Sequence, residues 1–196
     1  MRKVYIFILS LLPIIAVAQP TVLQQFFDKL EKNTLQGNYS FTMQDNASQP
    51  LTYKGNIVMR GEKFVIQMAG IKVSWDGKIL YSYSEDTNEL TLSEPSKQEL
   101  TEANPLLYAK ALAANCQITE NEKNEQWQII LIPQNKDAGV KNFTLYLRKS
   151  DLMPLRAEMK ETATKKTTLS LLESSFTDFL PSFVIEEEGA YINDLR

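Results

Sequence analysis

Residues 71–83, Ile-Lys-Val-Ser-Trp-Asp-Gly-Lys-Ile-Leu-Tyr-Ser-Tyr, constrain the fold more than any other part of this sequence. Asp76-Gly77 predicts a two-residue type I′ turn, because both central positions of that turn need a positive φ that Asp and Gly adopt at low cost. In the register that such a turn sets, Trp75 pairs with Lys78. The sequence therefore predicts a β-hairpin here.

Both faces of this hairpin carry large apolar or aromatic side chains. One face has Ile71, Val73, Trp75 and Leu80, and the other has Ile79, Tyr81 and Tyr83 beside Lys72 and Ser74. A hairpin with one solvated face shows a cleaner alternation of apolar and polar residues. Two interpretations are open at this point: a sandwich strand pair buried on both sides, or a curved sheet whose concave side has an apolar lining.

The composition restricts the chemistry. The chain has 196 residues, 43% of them hydrophobic, which is enough for one domain with a substantial core. It contains no histidine, the commonest general base and metal ligand, and its single cysteine, Cys116, has no internal disulfide partner. No catalytic triad or glycine-rich phosphate loop is present. We therefore expect a protein that is not an enzyme and has no metal or cofactor, with a carboxylate-based hydrolase as the remaining enzymatic option.

Residues 1–18 have the pattern of a cleavable secretory signal peptide. Arg2-Lys3 precedes an apolar run over residues 4–15, and Ala16-Val17-Ala18 fits the small-x-small cleavage rule. The run is shorter than the roughly 20 apolar residues that a transmembrane helix needs. We expect the mature chain, residues 19–196, to form a single domain.

The charge of the predicted mature chain also excludes some partners. Without the two basic residues of the leader it has 19 basic and 24 acidic residues, a net charge of −5. Such a surface gives no basis for nucleic-acid binding. A secreted chain with one thiol and no disulfide fits the periplasm.

Hydrophobic periodicity predicts a mostly β chain with two short helical segments. Residues 21–33 have helical spacing with Thr21 as N-cap, and a second helical segment within 101–116 starts at Asn104-Pro105. Residues 120–125 read as a charged turn. No helix of normal length separates the late strands, so they should pair antiparallel. The predicted strands, besides the hairpin, are 39–43, 53–60, 63–68, 89–93, 126–132, 140–149, 154–160, 167–173 and 183–185.

A curved antiparallel sheet with apolar side chains in excess can enclose an apolar ligand, as small β-barrels do. Burial of an acyl chain would then supply ~0.8 kcal/mol per methylene. No covalent bond needs to change for such a protein to function.

Several short motifs follow one another in order along the mature chain. They are Tyr39-Ser40-Phe41-Thr42-Met43-Gln44, Gly55-Asn56-Ile57-Val58-Met59-Arg60 followed by Lys63-Phe64, Asp76-Gly77-Lys78, Asn104-Pro105-Leu106-Leu107, and Leu131-Ile132-Pro133 followed by residues 140–147. In this order and spacing, behind a signal peptide, the chain resembles the LolA family of periplasmic outer-membrane lipoprotein carriers.

The resemblance implies a mainly β (α+β) fold, an open and strongly curved antiparallel β-barrel with short helices forming a lid over a hydrophobic cavity. It also implies a function: a periplasmic monomer that takes the acyl chains of lipidated proteins from an inner-membrane ATP-driven release complex to an outer-membrane acceptor.

The resemblance and the strand pattern together give a set of expected ligand-binding residues. Arg60 matches a family arginine that hydrogen-bonds to the lid backbone and holds the lid shut, although the family usually has Pro where this chain has Gly61. The expected cavity and lid residues are Leu30, Phe41, Ile57, Met59, Arg60, Phe64, Tyr81 and Tyr83. Which face of the sheet points inward is left open.

Two other functions remain compatible with the sequence. One is a carrier of a glycolipid or another free lipid. The other is a periplasmic sensor or interaction module, since related folds bind an anti-sigma factor.

Overall fold

The computed structural model describes residues 19–45, 49–135 and 139–196, so the predicted signal peptide lies outside the described residues. The helices are α1 (Val22–Lys32), α2 (Lys97–Ala103) and α3 (Pro105–Ala113). The strands are β1 (Thr34–Gln44), β2 (Leu51–Arg60), β3 (Lys63–Met68), β4 (Ile71–Trp75), β5 (Leu80–Ser84), β6 (Glu89–Ser93), β7 (Cys116–Lys123), β8 (Gln126–Pro133), β9 (Asn142–Arg148), β10 (Pro154–Lys160), β11 (Lys166–Thr177) and β12 (Tyr191–Asp194).

The twelve strands form one sheet in the order β12-β6-β5-β4-β3-β2-β1-β11-β10-β9-β8-β7. Two antiparallel meanders, β1 to β6 and β7 to β11, are joined by pairing of the long strands β1 and β11. Strand β12 pairs parallel with β6. The helices lie on the concave side. The predicted fold class, an open, curved, mainly antiparallel β structure, is confirmed.

A bulge at Gly37 contributes to the bend of the sheet. The β1–β11 register shifts between Gln36 and Asn38, and a Cβ on Gly37 would lie 2.5 Å from the Cβ of Ser174. Bulges of this kind bend a strand and increase its local twist. Only glycine allows the two longest strands to approach this closely.

Helix α1 forms because its apolar residues recur on one face, and that face covers the concave side of the sheet. Leu23, Phe26, Phe27 and Leu30 are buried there. Full burial of a side chain of this size contributes about 1.5–3 kcal/mol. The predicted N-cap is confirmed, since Thr21 Oγ1 accepts a hydrogen bond from the backbone N–H of Gln24 at 3.1 Å. None of the described helices is long and apolar enough to span a membrane.

The second helical segment is two helices rather than one. Asn104 caps α3 by accepting a hydrogen bond from the N–H of Leu106 at 3.0 Å, and Pro105 occupies the first turn, as predicted. The preceding helix α2 has its own capping box, formed by Ser96 and Glu99. Because Asn104 is extended and Pro105 lacks an N–H, α2 cannot continue into α3.

The predicted pairing within the central hairpin is wrong, although its faces are as predicted. Trp75 pairs with Leu80, so the loop has four residues instead of two. The Oδ1 atom of Asp76 accepts hydrogen bonds from the N–H groups of Lys78 at 2.8 Å and Ile79 at 2.7 Å, which favours the wider turn. Because the register differs by two residues, every side chain keeps its face.

Two further strand predictions are wrong. Residues 120–125 do not form a loop, since most of them belong to β7, which pairs with β8. Residues 183–185 are not a strand: they lie in an irregular segment on the convex face, where Ser74 Oγ is 2.5 Å from the carbonyl oxygen of Phe183. The last strand is β12 instead.

Candidate functional site

A cleft of about 690 Å³ opens on the concave side, where β1, β9, β10 and β11 converge near the N-terminal end of α3. This volume lies within the range of small-molecule sites. The lining residues are mostly apolar: Phe41, Met43, Pro105, Tyr108, Gly139, Val140, Phe143, Ala157, Met159, Glu161, Lys165, Thr167 and Leu169.

Strand alternation and cross-strand pairing bring the wall side chains together. Met159 of β10 pairs with Phe143 of β9 on one side and with Thr167 of β11 on the other. Directly paired residues share a face of the sheet, and residues two apart along a strand do as well. Ala157 and Leu169 therefore continue the same wall one step deeper.

The inner end of the cleft is closed and its roof is a helix. Phe143, Ala157 and Leu169 are no more than 4% exposed and belong to the main core. On the helix side, the ring of Tyr108 lies 6.2 Å from the ring of Phe143, centroid to centroid, at a tilt of 51°. The cleft is thus a gap between α3 and the sheet, ending on packed core residues.

Apolar surface continues beyond the cleft along the first hairpin. Phe41 pairs with Tyr53 and Met43 with Leu51, so all four side chains share the concave face. Met43, Tyr53 and Leu51 are 39%, 37% and 56% exposed. Contiguous exposed apolar surface beside a cleft is typical of a ligand-binding or interaction site.

Two charged side chains lie at one point of the rim. Glu161 and Lys165, at the ends of the β10–β11 turn, form an ion pair with 2.6 Å between Lys165 Nζ and Glu161 Oε2. The hydrogen bond that the Lys165 ammonium donates to Glu161, and the negative charge of Glu161, raise the pKa of the Lys165 ammonium. Among the described lining residues, these two are the ones that carry a charge.

The mostly apolar lining is typical of a site that binds apolar groups. Within the described ranges, no group of three or more His, Cys, Asp or Glu could hold a metal ion. Cys116 is half-buried, and burial raises the pKa of its thiol, which disfavours a reactive thiolate. The geometry suits an apolar or amphiphilic ligand.

Comparison with known proteins identifies the family. Residues 34–163, about two thirds of the chain, match the family model described as outer membrane lipoprotein carrier protein LolA. This chain belongs to the LolA family. The resemblance noted from the sequence is confirmed, and the LolA match spans β1 to β10 with α2 and α3, and so includes most of the cleft wall.

Solved structures that resemble this one are distant in sequence. An uncharacterized conserved protein from Thermus thermophilus has a TM-score of 0.58 at 16% identity, covering 89% of this chain and 99% of that one. A LolA superfamily protein from Nitrosomonas europaea has a TM-score of 0.43 at 10% identity, covering 83% and 96%. A chain of the Pseudomonas aeruginosa MucA/MucB complex has a TM-score of 0.44 at 13% identity, covering 82% of this chain and 57% of that one. No curated protein matches the chain at a significant level.

Of the residues expected from the sequence to line the LolA cavity, Phe41 lines the cleft. Leu30, Ile57, Met59 and Phe64 also lie on the concave side, but each is at most 1% exposed. They pack in the main core with the apolar face of α1. They therefore lie in the closed part of the barrel, whereas Phe41 lies at the open cleft.

Tyr81 and Tyr83 lie on the opposite face from the cleft. They belong to a second apolar cluster with Leu90 and Ile185, and Tyr81 donates a hydrogen bond to Asp76 Oδ2 at 3.1 Å. Placing them in the cavity wall was wrong, because it is their neighbours on the other hairpin face, such as Trp75, that pack against the main core.

Arg60, for which a lid-latch role stays a prediction, is the last residue of β2. It follows the inward-facing Met59, so strand alternation places it on the convex face, and its Nη1 is buried without a partner in the described part of the chain. Other groups join the β2–β3 turn to the helices. The N–H of Gly61 donates to the carbonyl oxygen of Leu30 at 2.8 Å.

Ion pairs reinforce that junction on the surface. Lys110 of α3 lies 3.0 Å from Glu31 Oε1 of α1 and 2.9 Å from Glu62 Oε1 of the turn. All three side chains are substantially exposed, so each pair contributes little by itself. Together they connect both helices to the same corner of the sheet.

The cleft residues of β9, β10 and β11 were not predicted from the sequence. The alternation of Phe143, Ala157, Met159 and Leu169 was visible, but it predicted only which strand face is apolar. A usable signal was present in Glu161 and Lys165, which place two charges at the end of an otherwise apolar strand face.

Proposed function

We propose that this protein is a non-enzymatic periplasmic carrier that binds the acyl chains of lipidated proteins in the cleft and moves them from the inner to the outer membrane. The observation that carries the proposal is the open apolar cleft, continuous with exposed apolar side chains, in a chain of the LolA family. The predicted leader, residues 1–18, would direct the mature domain, residues 19–196, to the periplasm, where it would act as a monomer.

The cleft supplies a driving force of the required kind. Each methylene transferred from water into it contributes ~0.8 kcal/mol, so a long chain binds strongly with few polar contacts. Met43 and Met159 are well suited to such a wall, because unbranched thioether side chains adapt to ligands of different shape. A cleft that stays open at one end also allows the ligand to leave without unfolding of the barrel.

The residues proposed to contact the acyl chain are those of the cleft wall, with Phe41 at its outer end. Leu30, Ile57, Met59 and Phe64 have a supporting role in this proposal, because they fix the curvature of the sheet and the position of α1. The partners would be lipidated proteins as cargo, an ATP-driven release complex in the inner membrane, and an acceptor in the outer membrane.

Native mass spectrometry of the protein purified gently from the periplasmic fraction tests this proposal. We expect a bound mass equal to a lipid or a lipidated protein, which organic extraction removes. A lipoprotein mass supports the full proposal, whereas a free lipid mass supports the alternative carrier function. Repeated preparations that give only the mass of the bare chain would contradict both.

Transfer measurements then address direction and partners. Inner-membrane vesicles loaded with a labelled lipoprotein should release it into solution when this protein and ATP are added. A control with the protein after saturation by a long-chain detergent should show no release, because the cleft is already occupied.

A further inference from the structure

The cleft is chemically asymmetric. Its inner wall is apolar, formed by side chains such as Phe143, Ala157 and Leu169, whereas Glu161 and Lys165 bring opposite charges to one point of the rim. A ligand that fits this pattern has one apolar end and one polar end. The location of the ion pair therefore determines which way such a ligand lies.

The polar point is held in place by its turn. The N–H of Glu161 donates to the carbonyl oxygen of Lys165 at 3.1 Å. Thr162 Oγ1 accepts hydrogen bonds from the N–H groups of Lys165 at 2.9 Å and Thr164 at 3.2 Å. Side chain-to-backbone bonds of this type fix a turn locally. Lys165 therefore starts from a defined backbone position rather than from a free loop.

The two partners differ in their remaining capacity to bind. The Lys165 ammonium has three donor protons, of which the contact with Glu161 uses one. Its side chain is 54% exposed, compared with 22% for Glu161. The more accessible group at the rim is thus a cation with unused donors, and it favours a ligand that offers acceptor oxygens.

We propose that Lys165 Nζ binds the carbonyl oxygens of an acyl group, that Glu161 positions the lysine, and that the hydrocarbon chain runs from the β10–β11 turn toward Phe143 and Ala157. This inference rests on the proposed function, since it assumes that the cleft takes acyl chains. It adds the orientation of the chain and the chemistry of its polar end. An ester and a free carboxylate share that chemistry.

Competition binding distinguishes these possibilities. A fluorescent apolar probe bound in the cleft is displaced by three ligands with the same chain: palmitate, monopalmitoylglycerol and hexadecyltrimethylammonium, of which the last has no acceptor oxygen. The proteins compared are the parent chain, Lys165→Gln, Lys165→Arg and Lys149→Gln. Lys149 is a matched control, because it forms an exposed ion pair with Glu122 and does not line the cleft.

We expect Lys165→Gln to weaken the binding of palmitate and monopalmitoylglycerol by about fivefold, the loss of one partly exposed charged contact. The binding of hexadecyltrimethylammonium should not weaken, because its cationic head group is repelled by the lysine that the substitution removes. Lys165→Arg should restore most of the affinity, and Lys149→Gln should behave as the parent. If Lys165→Gln loses affinity for both acyl ligands, the contact is assigned to acyl esters and acids alike. If it loses affinity for palmitate alone, the contact is assigned to the free acid.

The failure of this inference differs from the failure of the proposed function. If all three ligands bind the parent and Lys165→Gln with the same ratios of affinity, the polar contact is overturned while the cleft remains a lipid site. If neither the probe nor any of the three ligands binds the parent chain, the proposed function itself is contradicted.

Discussion

The carboxylate of Glu120 lies at the N-terminus of α1, with its Oε1 atom 2.9 Å from the backbone nitrogen of Leu23. Its other oxygen accepts from the N–H of Val22 at 3.0 Å. Together with the cap from Thr21, these bonds satisfy the first three N–H groups of the helix. Because Glu120 belongs to the edge strand β7, the helix that covers the closed core is tied to the far edge of the sheet.

Glu120→Gln should lower the free energy of unfolding by about 1–2 kcal/mol, because it removes a negative charge from the positive end of a helix and leaves one backbone donor weakly paired. Denaturant titration measures this. The control is Glu122→Gln on the same strand, an exposed ion-pair residue whose loss should change stability by less than about 0.5 kcal/mol. Equal effects of the two substitutions would contradict the role of Glu120.

Asp76 should make the stability of the central hairpin depend on pH. Burial alone would raise the pKa of its carboxyl, but hydrogen bonds from the N–H groups of Ile79 and Lys78 and from the Tyr81 hydroxyl lower it. A carboxyl whose pKa is lowered in the folded state stabilises that state at pH values above its unfolded pKa of about 4. That stabilisation is lost as the pH falls through the folded pKa.

We therefore expect Asp76→Asn to be less stable than the parent by up to about 1 kcal/mol at neutral pH. The difference should begin to shrink near pH 4 and disappear once the pH is below the folded pKa. The contribution is limited because the side chain is partly exposed. Urea titrations from neutral pH down to pH values below the folded pKa check this. A difference that stays constant over that range would show that the charge of Asp76 has no part in the turn.

Arg60→Met should leave stability unchanged or raise it by up to about 1 kcal/mol, because a buried unpaired donor costs free energy that an apolar side chain does not. It should also leave binding of an apolar probe in the cleft unchanged. The control is Arg148→Met, which removes an exposed ion pair with Asp151. Faster release of the probe from Arg60→Met, without a change in melting temperature, would contradict this prediction and support the latch role that the family resemblance implied.

Local signals predicted the local structure well. Thr21 capped the helix where expected, and Asn104-Pro105 began a helix, because cap and N1 preferences depend on neighbouring residues only. The hairpin faces were also correct. Its register was not, because the side chain of Asp76 binds two backbone N–H groups and this competes with the turn type that the Asp-Gly pair favours.

The position of the site could not be predicted from local patterns. Whether a strand face is concave depends on which strands pair at a distance, and here β1 pairs with β11, which lies more than a hundred residues later. The C-terminal segment also covers the convex face, so Tyr81 is buried there against Ile185. In the sequence, an aromatic residue buried on the convex face cannot be distinguished from one that faces the concave side. Because both faces of the hairpin are buried, its sequence lacks the contrast between an apolar and a polar strand face that would have identified the cavity wall.

The most direct test of the carrier proposal is the dissociation constant of a synthetic triacylated lipopeptide for the parent chain, Val140→Trp and Ile132→Trp. Val140 is half-buried and lines the cleft, whereas Ile132 is 45% exposed and is not part of the lining. We predict that the parent and Ile132→Trp bind equally and that the indole at position 140 weakens binding by at least about tenfold. Equal binding by all three proteins, or no binding by the parent, would contradict a carrier that holds acyl chains in this cleft.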